Sequence, residues 1–349
     1  SFIPFSVEKN LQEDVTSIIS TVDNNGDQGI IVGNSNFESQ LGAKSSISNF
    51  TRKEKNNFLS LDHMIGSLSQ ADIDNDGDLD IFAGGRVIPA KYPMPASSML
   101  YINENGKYIP DKKNSIVLSK IGLVSGSVFS DIDNDGDPDL LIALEWGPIT
   151  ILENNNGILT NITSKLNLDQ LNGWWNGIAT GDFNEDGLID IVATNWGLNT
   201  KYHFTTSHPR QVYFNDFDKN DVLDIVEAHY DGDFEDLVPE RGFSCISNAM
   251  PFVREEKQTF LNYAQSTLTD IFGNTLKTSP YLEANTLESV VLINNGNSFT
   301  PSPLPFEAQM STAMHAGVSD INGDGHEDIF ISQNFFTVQK ETDRNDSGR

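Results

Sequence analysis

The hydrophobic residues of this chain come in short clusters rather than long amphipathic stretches. Met64–Ala71, Val124–Ser130 and Met314–Ser319 are segments of small and apolar residues. Denser apolar runs follow: Ile81-Phe-Ala, Leu140-Leu-Ile-Ala-Leu, Ile191-Val-Ala, Ile225-Val and Ile329-Phe-Ile. Runs of this length, bounded by turn residues, predict buried strands. Hairpin signals come next, at Leu100–Tyr108, Ile151–Gly157 and Val291–Asn297. There Asn-Gly supplies the positive φ that a tight turn demands. The exception is the stretch 240–273, where Phe260, Leu261, Ala264, Leu268, Ile271 and Phe272 follow a helical period. Pro251 suits a first helical turn and Gly273 a stop. We read two or three short helices inserted into one blade, between Ile225-Val and Ser289-Val-Val-Leu.

Between the paired strand signals lies one recurrent polar pattern, Asp-x-Asp/Asn-x-Asp/Asn-Gly-x-x-Asp. Its oxygen-bearing positions are Asp72, Asp74, Asp76 and Asp80 in the first full copy, and Asp131, Asp133, Asp135 and Asp139 in the second. A third copy has Asp182, Asn184, Asp186 and Asp190. A fourth has Asp216, Asp218, Asn220 and Asp224, with Asp221 where glycine is expected. The fifth has Asp320, Asn322, Asp324 and Asp328. A decayed copy from Thr21 to Gly29 has lost both end carboxylates and reads as an empty turn. Each unit is thus strand, acidic loop, strand and hairpin. Radial repetition of such four-stranded antiparallel units makes a β-propeller, so the predicted fold is all-β with a single propeller domain over 1–349. The gap of 104 positions between the last two copies is then filled by the helical insertion.

The spacing carries chemistry. Positions 1, 3 and 5 place oxygen side chains inside one tight loop, position 6 turns sharply, and position 9 closes the shell. Six to eight hard oxygen ligands are what Ca²⁺ takes, and Mg²⁺ is the poorer fit because it prefers a strict octahedron with retained waters. The position-12 residues are Ala83, Ile142, Ala193, Glu227 and Ile331. Most are apolar, which excludes helical EF-hand loops with their closing Glu. We expect four or five Ca²⁺ acting as structural clamps between strands, with the copy at 216 the weaker candidate. Asp tolerates the left-handed region better than most residues, which keeps Asp221 compatible with the turn.

Charge narrows the partners. Lys and Arg total 22 against 50 Asp and Glu, a formal net charge of −28. Such a chain repels a phosphate backbone, so nucleic acid is not an expected partner. The one cysteine, Cys245, excludes an internal disulfide framework and a Cys-rich zinc site. No apolar run is long enough to span a membrane as a helix. The first residue is Ser1 rather than Met and no n-region or h-region stands before the first strand signals, so we expect a signal peptide to be absent or already removed.

At these residues the chain resembles a known family. The Asp-x-Asp-x-Asp-Gly-x-x-Asp loop between strands is similar to the FG-GAP/VCBS repeat, the calcium-loop blade of integrin α-subunit propellers. Trp174–Gly187, Asn195–Asn199, Phe260–Gly273 and His315–Gly325 resemble, more narrowly, bacterial VCBS-repeat proteins grouped with ASPIC/UnbV domains. The resemblance implies an exported calcium-binding propeller, extracellular, cell-surface or periplasmic, usually of seven blades. About six are expected here, with the C-terminus truncated. It carries over loop ligands and no catalytic set.

Three functions follow as expectations. The first is a binding or adhesion module for protein or glycan, with Trp146, Trp174, Trp175 and Trp196 either stacking on sugars or filling gaps between blades. The second is a propeller-type polysaccharide lyase, drawing its base and cation from His208, Arg210, Tyr213 and His315. The third is a structural unit, monomeric or part of a surface assembly. In that reading the helical insert carries Phe243, Ile246, Met250 and Val253 either to dock a partner or to cap the propeller. No G-x-S-x-G, H-E-x-x-H, Walker A or G-x-G-x-x-G motif occurs.

Overall fold

The structure is a computed structural model and describes residues 14–22, 28–36, 44–51, 55–61, 63–336 and 344. Its sheets are antiparallel, and the first two are simple meanders in which each strand pairs with the next. The first contains β1 (Val15–Val22), β2 (Gln28–Asn34), β3 (Ser45–Thr51) and β4 (Lys55–Leu61). The second contains β5 (Ile65–Ala71), β6 (Asp80–Gly85), β7 (Met99–Glu104) and β8 (Lys107–Pro110). A short helix, α1 (Ser115–Leu118), precedes the third. That sheet has β9 (Leu123–Ser130), β10 (Asp139–Gly147), β11 (Thr150–Asn155) and β12 (Ile158–Asn161), with β13 (Gly173–Trp174) added on the far end of β10.

The fourth sheet starts with β14 (Ile178–Gly181) and β15 (Asp190–Ala193), and is then interrupted. A separate four-stranded sheet intervenes: β16 (Arg210–Asn215), β17 (Asp224–Asp231), β18 (Asp236–Pro239) and, after the helices α2 (Phe243–Ala249), α3 (Pro251–Lys257), α4 (Phe260–Ala264) and α5 (Leu268–Thr278), β19 (Tyr281–Ala284). Its order is β18-β17-β16-β19. Only then do β20 (Val290–Asn294) and β21 (Phe299–Pro303) complete the fourth sheet, in the order β14-β15-β20-β21. A final pair, β22 (Ala313–Ser319) and β23 (Asp328–Gln333), forms a two-stranded sheet.

This nesting corrects the sequence reading. The helices lie between β18 and β19 of the nested sheet, and that sheet separates β15 from its partner β20. The acidic copy at 216 lies in this nested sheet, between β16 and β17, and not in the next unit of the series. Local pattern cannot reveal this, because strand, acidic loop and strand look the same in either place. The helical stretch also runs past Gly273 to Thr278. Gly273 takes φ 56 and kinks α5, and helical turns resume beyond it.

The cores sit between neighbouring sheets. First strands pack side by side in the succession β1, β5, β9, β14, β22. Gly66 shows how closely: a Cβ there would stand 1.9 Å from the Val124 carbonyl oxygen. Position 2 of three acidic loops then packs against the following sheet, whereas Phe217 stays in the nested sheet's own core and Ile321 is exposed. Ile73 packs with Leu140 and Leu152, Ile132 with Ile191 and Leu292, and Phe183 with Val318 and Ile329. The runs Asp80–Gly85 and Asp190–Ala193 are buried throughout, as expected of second strands covered on both faces.

The nested sheet has a core of its own. Phe243, Ile246, Met250 and Val253 are buried there with Tyr213, Phe217 and Val226. These four residues therefore cover the nested sheet rather than offering a free docking face. Its other face meets the main sheets through Trp146 and Trp174, which are buried together with Val212 and Leu287.

Candidate metal loops

Each acidic loop is built from backbone N–H groups folded onto its own carboxylates. In the first, the two oxygens of Asp72 accept from the amides of Asp76 (3.0 Å) and Gly77 (2.9 Å). Asp131, Asp182, Asp216 and Asp320 repeat the arrangement at the same spacing. Wrapping the chain so tightly needs two left-handed residues. One is position 6, at φ 95, 96, 85 and 92 for Gly77, Gly136, Gly187 and Gly325. Asp221 takes the same region at φ 63 and makes the same bond to Asp216, at 2.9 Å. The other is position 4, held by Asn75, Asn134, Glu185, Lys219 and Gly323, all at positive φ. Sequence reading missed position 4, because its residue type varies.

Position 9 anchors the loop to its sheet. Asp80 and Asp139 are fully buried, and one oxygen of each accepts from position 2, Ile73 N or Ile132 N, at 3.0 Å. The other accepts from the third strand, Asn103 N (2.7 Å) or Asn154 N (2.8 Å). Asp190 repeats this with Phe183 and Asn294. Burial, with the Asp neighbours adding to it, pushes Asp80 and Asp139 up to about 6, and Asp190 and Asp224 rise for the same cause.

The carboxylates of positions 1, 3 and 9 converge. Asp72, Asp74 and Asp80 each bring an oxygen within 4.8 Å of the others, as do Asp131, Asp133 and Asp139, and Asp216, Asp218 and Asp224. The remaining two loops carry Asn184 and Asn322 at position 3. One oxygen of Asp74 and one of Asp218 are buried with no hydrogen-bond partner. A buried acceptor beside two more carboxylates is costly unless a cation occupies the space. The donor set is oxygen only, which fits a hard divalent ion. Position 5 stands apart from these basins: Asp76 and Asp135 each accept from the amide two residues on, at 2.9 Å. Glu227, at position 12 of the fourth copy, pairs with Arg210 at 3.2 Å and is not a ligand. The decayed copy at 21 lies mostly outside the described residues.

Neighbouring loops also touch. Asn75 donates to Asp137 at 2.7 Å and Asn134 to the Gly187 carbonyl at 3.4 Å. Glu185 pairs with His326, and Glu327 accepts from Asp182 N at 2.7 Å. The succession is 72, 131, 182, 320, and it skips the nested copy at 216.

A second side-chain position emerges from the structure. Asn103, Asn154 and Asn294 stand at or next to the end of their third strands, are nearly fully buried, and accept from the hairpin glycines Gly106, Gly157 and Gly296. Asn154 also donates to Ile73 O (3.0 Å) and Asn294 to Ile132 O (3.2 Å), in the preceding sheet's loop. The Asn-Gly signal marks the turn and conceals this clip.

The residues considered for lyase chemistry do not form one site. Arg210 and Tyr213 lie three apart on β16, so they face opposite sides of the nested sheet. Arg210 is buried in ion pairs with Glu240 (2.9 Å) and Glu227. Burial would raise Glu240, but bonds from His229, Arg210 and Lys201 outweigh it and hold Glu240 well below the usual range. Tyr213 donates to Gln211 within the helix-covered core. His208 stacks on Tyr230, and His315 lies on β22 in another sheet. Of the two readings of the tryptophans, the structure supports gap filling. Trp146, Trp174 and Trp175 are buried in the cores between sheets, and Trp196 packs partly buried against one of them.

No helix among the described residues is long and apolar enough to cross a membrane. No curated protein matches the chain. One family profile does, and it supports the broad likeness noted above but not the narrower VCBS or ASPIC/UnbV one. It is described as an FG-GAP-like repeat, and it matches residues 131–193, from the first aspartate of the second loop through the whole third loop to the end of β15.

Proposed function

We propose that this chain is a calcium-clamped arc of propeller-type blades that acts as a binding module. The observation that carries the reading is the recurring basin of three converging oxygens, with buried acceptors on Asp74 and Asp218 left without a partner. Ca²⁺ would fill the loops, be held by positions 1, 3 and 9, and join the two strands that each loop connects. It supplies charge neutralisation and no chemistry. Five such ions would bring the net charge of −28 to about −18. FG-GAP-like repeats are typical of extracellular proteins, where calcium is abundant enough to fill loops of modest affinity. We therefore place the protein outside the cytosol, with a protein or glycan as its ligand. Metal analysis after dialysis tests the reading. The expectation is about five Ca²⁺ per chain, with one ion lost in Asp139→Asn. Retention of no metal after dialysis against millimolar calcium would refute it.

A further inference from the structure

The segment leading from β15 into the nested sheet, together with the return into β20, walls an open cleft of about 690 Å³. None of its lining residues belongs to an acidic loop. Its floor is Tyr202 and Phe204, set edge-on against Trp174 with ring centroids 5.1 and 5.3 Å away. One wall is an aromatic pair, His208 stacked on Tyr230 with centroids 3.9 Å apart and planes 27° from parallel. Thr205 and His208 exchange backbone hydrogen bonds at 3.2 and 3.1 Å, which closes the turn that presents His208. On the β20 side stand Thr286 and Glu288. Among the described residues, the side chains of His203, Thr286 and Glu288 have no hydrogen-bond or ion-pair partner, although all three line the cleft. Asn285, by contrast, is committed: it accepts from Asn172 N and donates to Gln170 O, so it is part of the wall.

We propose that this cleft binds a neutral oligosaccharide. A pyranose ring has an apolar C–H face and a rim of hydroxyls. The stacked His208–Tyr230 pair offers an aromatic surface, with His208 exposed, for the first. The uncommitted Glu288 carboxylate accepts from hydroxyls of the second, and charge-assisted bonds of this kind are the stronger ones. Charge selects against uronates and sulfated sugars, because Glu288 and the chain's net charge of −28 repel them. The rings do not form a box for a cation: the Tyr202 face is already occupied by the Arg210 guanidinium at 4.6 Å. The exposed rim of His203, Thr205 and His208 leaves the cleft open to a chain rather than enclosing a small molecule. This inference rests on the binding-module reading above but not on its calcium.

Calorimetric titration of the calcium-loaded protein with short neutral oligosaccharides of hexoses and N-acetylhexosamines tests it. The expected result is saturable binding that weakens at least about tenfold in Glu288→Ala and in His208→Ala. Both positions lie outside the hydrophobic cores, and unchanged thermal unfolding of the variants confirms their fold. Binding unaffected by either substitution would remove the cleft from the account and leave the module standing. No saccharide binding by the wild type would overturn the proposal. Calcium-dependent capture of a protein ligand in the same experiment series would then preserve the module reading, and its absence would count against that reading as well.

Discussion

Asn154 makes three bonds from a fully buried site: its amide donates to Asp139, its side-chain nitrogen donates to Ile73 O, and its side-chain oxygen accepts from Gly157 N. Asn154→Ala keeps the first and strands two buried backbone groups. We expect a loss of about 2–4 kcal/mol in denaturant unfolding, since each orphaned buried group costs about 1–3 kcal/mol. A loss no larger than that of an exposed Asn155→Ala would contradict the clip. The position-9 aspartates give a pH signature. In metal-stripped protein Asp80 and Asp139 hold protons up to about 6, against an ordinary value of 3.8. Between those values the folded state binds more protons than the unfolded one. Their contribution is present below about pH 4 and is lost as pH rises through about 6. Stripped wild type should therefore lose more stability than stripped Asp139→Asn between about pH 4.5 and 7, read from urea midpoints. Equal losses would contradict the assignment. The acidic loop positions were legible in sequence because they recur at one fixed spacing. The Asn clip was not, because Asn before Gly already has a sufficient explanation in the turn.

Among the elements, the first strands set the tolerance. Gly66 on β5 faces β9, where any side chain meets backbone rather than a yielding side chain. Gly66→Ala is expected to cost about 1–3 kcal/mol or more, the range for overpacking. Gly106→Ala, at an exposed hairpin with open space around it, should cost less despite its φ of 87, and a reversed order in thermal unfolding would contradict the packing described. The second strands were legible as continuous apolar runs, and the hairpins as Asn-Gly. The nested sheet was not. Its copy of the loop repeats the local pattern, and only long-range pairing, β15 with β20 across an intervening unit, shows that it lies outside the series. The tryptophans were likewise ambiguous, because a sequence does not tell an exposed ring from one wedged between sheets.

For the molecule as a whole, side-by-side first strands, plugs from the loops at 72, 131 and 182 into the next sheet and contacts between successive loops all run in one order. Like charges gather along that line of loops, so the apo protein carries a repulsion that cations relieve. Ion binding and folding are then linked: any ion that binds the folded loops and not the unfolded chain raises stability by mass action. The most direct test is thermal unfolding of one preparation in millimolar calcium and in excess chelator, with bound metal counted on the same sample. The account predicts a large upward shift in calcium, together with about five ions per chain. Coincident unfolding curves with no bound calcium would contradict it.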